Sequence, residues 1–171
     1  LFQLELDELF HCNWLLIGHR SEFLHPGDYR TLNIGNERAL VVQGAEGKLR
    51  AFHNVCRHRG SRVVAGAEGN CGRSIVCPFH GWTYQLDGSL KNVPRAENFS
   101  DLNRDQQGLV PIDLEVWQGF VFVRIKGNGA SVTDQLAPIT EQVAPYRLAE
   151  MTPCGNSYMA GEVPYNWKIF H

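Results

Sequence analysis

The chain has 171 residues, a formal charge of −2 and 43% hydrophobic residues, enough for one domain of roughly 100–150 residues with its own core, plus an extension. So slight an acidity gives no attraction to nucleic acid or to an anionic membrane surface. No apolar run approaches the ~18 residues of a membrane helix. The five cysteines, with no basic-then-apolar leader ahead of them, suit a reducing compartment, so the cytoplasm is the expected location.

Leu1, Phe2, Leu4, Leu6, Leu9 and Phe10, set among Asp and Glu, predict a short amphipathic helix within a segment 1–13. From Trp14 the texture changes to short apolar runs between turn residues. Trp14–Gly18, Tyr29–Ile34, Ala39–Gln43 and Leu49–His53 read as strands, punctuated by His25-Pro26-Gly27-Asp28, Ile34-Gly35-Asn36 and Gly44-Ala45-Glu46-Gly47. Ile75–Cys77 and Thr83–Gln85 follow, with Leu86-Asp87-Gly88-Ser89 as a hairpin turn. The polar stretch 89–113, with Pro94 and Pro111, reads as a long surface loop. Val116, Phe120, Phe122 and Arg124 then mark a last strand pair around Gln118-Gly119. Short strands at this spacing predict a mainly β domain over 14–125, a sandwich or small barrel.

Past Ile125, Gly127-Asn128-Gly129 ends the strand, and Ser131 or Thr133 is placed to cap a helix. Pro138 and Pro145 should divide it into two short helices, making 126–150 a helical connector. Asn156–Val163 reads as a strand opening a further domain, of which 151–171 is the beginning. Both ends read as cut, since residue 1 is Leu and the only methionines are Met151 and Met159.

The chemistry is concentrated in two arms, Cys56-Arg57-His58 and, after 18 intervening residues, Cys77-Pro78-Phe79-His80. Each offers one thiolate and one imidazole, and glycine follows each (Gly60 and Gly81). A Rieske-type [2Fe–2S] centre needs two Cys on one iron and two His on the other, which Cys56, Cys77, His58 and His80 supply. Zinc also accepts Cys₂His₂, but zinc fingers pair Cys with Cys and His with His on separate arms. A structural zinc module therefore stays as an alternative. Cys12, Cys71 and Cys154 lack a pairing pattern and read as free thiols.

Asn54-Val55-Cys56-Arg57-His58-Arg59-Gly60, with Cys77-Pro78-Phe79-His80-Gly81-Trp82-Thr83-Tyr84 and Leu86-Asp87-Gly88, resembles the α subunit of the Rieske non-haem iron oxygenases, ring-hydroxylating dioxygenases and Rieske monooxygenases alike. The resemblance runs from about Trp14 to the last residues. It implies a Rieske domain that takes electrons from a reductase or ferredoxin. Those electrons pass to a mononuclear non-haem Fe(II), held by two His and a carboxylate, which oxygenates a small organic substrate. It also implies a homo-oligomer, commonly a trimer, and an α+β catalytic domain of which this chain holds only the opening. Nothing in residues 1–171 matches the three iron ligands, so no catalytic residue carries over. In such relatives the outer nitrogen of a ligating histidine meets an acidic residue of the neighbouring subunit.

The pattern also resembles the high-potential Rieske proteins of respiratory complexes, which link their two cluster loops by a disulfide. The matching positions here are Ser61 and Phe79, so that link cannot form. Those proteins place a serine donor where Trp82 stands. Fewer donors to the cluster sulfurs leave the reduced state less stabilised, and the expected potential is at the low end of the Rieske range, on the order of −150 mV.

Arg57, Arg59 and Arg62 read either as a solvated rim or as a contact for the electron donor. His11, His19 and His25 match no compact metal spacing, and His53 reads as a packing or hydrogen-bonding residue. Trp14, Trp117 and Trp167 read as core or interdomain fillers, with Trp82 beside the cluster loop. A stand-alone Rieske ferredoxin-type carrier remains the alternative to the oxygenase component.

Overall fold

In a computed structural model, the period-two apolar pattern resolves into short antiparallel strands. The structure describes residues 1–154 together with Asn166 and Lys168; the strand expected at 156–163 and Trp167 lie outside the described residues. In chain order the strands are β1 (Leu15–His19), β2 (Asp28–Ile34), β3 (Glu37–Gln43), β4 (Leu49–His53), β5 (Glu68–Asn70), β6 (Ile75–Val76), β7 (Thr83–Tyr84), β8 (Leu90–Asn92), β9 (Asp113–Trp117) and β10 (Phe120–Arg124). They form three sheets, ordered β1-β10-β9, β4-β3-β2-β5 and β6-β7-β8.

The middle sheet joins the other two through β3. Ala39, Leu40, Val41 and Val42 are each fully buried, because successive side chains of a strand point to opposite faces and both faces here are covered. Leu40 and Val42 enter a core with Ile75, Trp82 and Tyr84. Ala39 and Val41 enter a second core with Val121 and Val123. Leu40, Val41 and Val42 each stabilise the fold by about 1.5–3 kcal/mol relative to exposure.

The last strand pair turns at Gln118 (φ 48°) and Gly119 (φ 85°), the left-handed pair that a two-residue hairpin needs. A Cβ on Gly119 would collide with the His19 ring. His19 is buried, and its Nε2 lies 3.2 Å from the Leu148 carbonyl, which ties β1 to the connector.

The N-terminal helix is present but changes pitch. It is α-helical in α1 (Phe2–Glu5) and π-wound over Leu6–Phe10, closed by the His11 amide on the Leu6 carbonyl at 2.9 Å. Among its apolar residues only Leu6 is buried; Gly35, lacking a Cβ, admits it.

Two expectations need correction. The 89–113 stretch is not one loop: Leu90–Asn92 pairs with β7, and tight 3₁₀ turns follow at Ala96–Asn98 and Arg104–Gln106. Nor does Pro138 split the connector helix, since α2 runs unbroken over Val132–Val143. A proline removes a single intrahelical bond, and its cost is offset at the N-terminus. Ser131 Oγ accepts the Asp134 amide at 3.0 Å, and Glu115 of β9 accepts the Val132 amide at 2.7 Å. Pro145 does mark a break, inside the 3₁₀ turn Ala144–Tyr146.

Candidate cluster site

The two arms leave the ends of strands in different sheets, the first after β4 and the second between β6 and β7. Both fold onto the same backbone frame. In the first, the Cys56 amide donates to the Ser61 carbonyl at 2.7 Å and the Gly60 amide to the Cys56 carbonyl at 3.0 Å. In the second, Cys77 donates to Trp82 at 2.8 Å and Gly81 to Cys77 at 3.0 Å. Gly60 and Gly81 hold φ of 72° and 74°, a left-handed conformation that is costly for residues with a Cβ. The frame thus fixes the cysteine and the glycine four residues on, while the histidine stands second after Cys56 but third after Cys77.

The donors separate by depth. Cys56 and Cys77 are 3% and 2% exposed, whereas His58 is half-buried and His80 exposed. The two imidazoles meet edge-on, with ring centroids 4.7 Å apart at 72°, and the Cys77 thiol acts directly on that of Cys56. Thiols within and imidazoles without is the division a two-iron cluster asks for.

Electrostatics suit ligation. Burial, with the neighbouring His80 and Arg59, lowers the His58 pKa, favouring the neutral imidazole that can bind a metal. His58 Nδ1 is buried and has no hydrogen-bond partner, a lone pair left for a group not made of protein. Burial raises the Cys56 thiol pKa, against a lowering contribution from Tyr84; a bound metal reverses that balance by stabilising the thiolate.

Residues to which the sequence reading assigned no role hold the arms. Tyr84 on β7 is fully buried; its hydroxyl accepts the Arg57 amide at 3.0 Å and lies 3.3 Å from Cys56 Sγ. Asn54 accepts the amides of Val63 and Val64 at 3.0 and 3.1 Å and donates to the Val64 carbonyl at 2.8 Å, closing the first arm at its base. Phe99 meets both His58 and Trp82 edge-on, at 5.8 and 5.9 Å. A buried asparagine directly before a ligand loop was the one available signal for such a staple.

Trp82 does pack beside the loops, stacked on His58 at 5.0 Å and 6°. His53 contacts Glu37 at 3.4 Å, and Trp117 is buried. Trp14 lies under the Arg124 guanidinium at 4.4 Å. All five cysteines are unbonded. Arg57, Arg59 and Arg62 are exposed and enter none of the ion pairs formed among the described residues.

The Rieske [2Fe-2S] domain family matches residues 13–116. The chain belongs to that family. A Rieske domain carries a [2Fe–2S] cluster, and the buried thiols, paired imidazoles and unpartnered Nδ1 fit it. The glycine betaine monooxygenase oxygenase subunit of Pseudomonas aeruginosa is 40% identical over 99% of this chain and 38% of its own length. The carnitine monooxygenase oxygenase subunit of Escherichia coli is 39% identical over 83% of the chain and 38% of its own. Among solved structures, a quaternary ammonium Rieske monooxygenase in complex with L-carnitine superposes with a TM-score of 0.79, at 33% identity, over 86% of this Rieske chain and 42% of that one. Naphthalene 1,2-dioxygenase gives 0.77 at 34% identity, over 84% and 33%. The Rieske chain thus spans less than half the length of the relatives it matches. No described helix is long and apolar enough to cross a membrane.

Proposed function

We propose that Cys56 and Cys77 hold one iron of the [2Fe–2S] cluster and His58 and His80 the other, and that the chain is the electron-entry domain of an oxygenase. The juxtaposition of the two arms carries this reading: two buried thiols, and two imidazoles with ring centroids 4.7 Å apart, come together from separate sheets. When bound, the cluster accepts and releases one electron at a time. The chain's own contribution is to bury the sulfurs, to keep His58 neutral and to leave the His80 edge at the surface, where a partner can approach.

In the parent protein the electron passes from a reductase or ferredoxin through this domain to a mononuclear non-haem Fe(II) in the remaining sequence. The similarity to glycine betaine and carnitine monooxygenase subunits supports a quaternary ammonium substrate and monooxygenation. The 99% coverage by the Pseudomonas subunit, connector included, favours an oxygenase component over a stand-alone carrier. The domain division 14–125, 126–150 and 151–171, a homotrimer and a cytoplasmic location with unpaired thiols belong to the same reading.

Anaerobic purification followed by dithionite reduction should give a Rieske electron paramagnetic resonance signal with two iron and two sulfide per chain, lost in Cys56→Ser and His80→Ala. A colourless zinc protein would sink the ligand assignment. In the full-length protein with its reductase, glycine betaine or carnitine should stimulate O₂ uptake; stimulation by benzene alone would refute the substrate class.

A further inference from the structure

The two arms belong to different sheets, and their backbone frames are each closed within one arm. The Tyr84 hydroxyl ties β7 to the Arg57 amide of the first arm, but it holds backbone and not the His58 ring, and a cluster shared by both arms is strained or released when that ring moves away. The positions that carry a covalent link in high-potential Rieske proteins are Ser61 and Phe79 here. Phe79 is 61% exposed and lies on its own arm's His80, with centroids 3.9 Å apart, so it makes no bridge to the first arm.

The rings behind it do. Trp82 belongs to the second arm and supplies the carbonyl that closes it, yet its indole lies parallel to the His58 imidazole of the first arm, 5.0 Å away at 6°. Phe99, from the turn after β8, stands edge-on to both rings at once, at 82° to His58 and 81° to Trp82. Trp82 is 3% exposed, so the stack is shielded from water, and edge-to-face and offset-parallel geometries are the attractive ones for aromatic pairs. His58 cannot swing outward without leaving the indole, and the indole cannot retreat with the second arm without breaking the edge contact to Phe99.

We propose that Trp82, wedged by Phe99, is a non-covalent lock between the arms, holding His58 in its ligating orientation where other Rieske proteins use a covalent link. The proposal rests on the assignment of His58 as a ligand. Trp82 and Phe99 are positioning residues, and the property they govern is retention of the cluster.

The test follows loss of visible absorption from the oxidised protein in excess iron chelator, with far-UV circular dichroism recorded alongside. Trp82→Leu and Phe99→Leu should each release the cluster roughly tenfold faster than the unaltered chain while the β signal is unchanged, and Trp82→Phe, which keeps a stackable ring, should stay within about twofold. If Trp82 merely fills space, Leu and Phe will behave alike, and that result overturns the lock. Release from a folded Trp82→Leu at the unaltered rate overturns it as well. Should Trp82→Leu not fold, Phe99→Leu at its half-buried site decides by the same rate comparison. An unaltered chain with no Rieske spectrum at the outset is a different outcome, for it removes the ligand assignment itself.

Discussion

The hydroxyl of Tyr84 lies 3.3 Å from the sulfur of Cys56 while accepting the Arg57 amide at 3.0 Å. A thiolate has no proton to give, so toward a metal-bound Cys56 sulfur the hydroxyl is the donor. Burial, helped by the Cys56 thiol, pushes the phenol pKa well above the ordinary tyrosine range, so the donor survives at any working pH. A donor to a ligand sulfur stabilises the more electron-rich reduced cluster. Starting from a potential on the order of −150 mV, Tyr84→Phe should lower it by roughly 20–60 mV, the worth of one such hydrogen bond. Protein-film voltammetry checks both values; a positive potential for the unaltered chain contradicts the first and an unchanged one in Tyr84→Phe the second.

Arg57, Arg59 and Arg62 are exposed on the His58 arm of a chain whose net charge is −2, and the Arg59 charge is felt at His58. An acidic donor would be steered to this arm at low salt. Reversing Arg57 and Arg59 to Glu should cut the second-order rate of reduction by roughly tenfold or more at low ionic strength, and the deficit should shrink as salt is added. Stopped-flow reduction by an acidic ferredoxin measures this. A salt-independent deficit would mean that the arginines act on the loop instead.

Gly60 and Gly81 share a backbone conformation but not their surroundings. A Cβ on Gly60 meets nothing within 4 Å, while one on Gly81 approaches Pro94 Cγ at 3.2 Å. Gly60→Ala should therefore cost only the backbone term, about 1 kcal/mol, and Gly81→Ala more. Urea unfolding of the two variants gives the comparison, and equal costs would show that Pro94 yields freely.

Asn54 makes three hydrogen bonds from a buried side chain. Asn54→Ala strands two amides and a carbonyl, at about 3 kcal/mol or more. Asn54→Asp keeps the acceptor for both amides and should cost less. Thermal denaturation ranks them, and reversal of that order would place the value of Asn54 in its donor.

Burial alone would raise the Asp28 carboxyl pKa, but the Asn70 side chain and the amides of His25 and Leu24 outweigh it and hold the pKa below the usual value. A carboxylate depressed in the folded state adds stability above its unfolded pKa, and that contribution disappears as pH falls through the folded value. Asp28→Asn should therefore flatten the acid limb of stability below about pH 4 and leave the shape of the curve above it unchanged. Urea midpoints across that range test the sign.

The Rieske character of the chain was legible because ligand chemistry is written in residue types at close spacing; the proposal for Cys56, His58, Cys77 and His80 draws on no tertiary information. The strands with strong apolar alternation were legible as well, Leu49–His53 to the residue. Other features depend on what a segment meets after folding. Glu68–Asn70 is charged, glycine-containing and fully exposed; it is a strand because the edge of β2 offers partners. Tyr84 read as an ordinary strand residue, since its partner is 28 positions away. Pro138 was given the weight it has in an isolated helix, and a tertiary anchor from Glu115 at the helix start changed the balance.

Because β3 sends Leu40 and Val42 to one side and Ala39 and Val41 to the other, the electron-carrying end has no boundary at which it could melt alone. Disturbing the packing around Val121 and Val123, far along the chain from either arm, loosens the same strand on which the arms' core rests. Cooperativity is thus built into a single stretch of backbone, so damage to either core weakens the floor on which the arms stand.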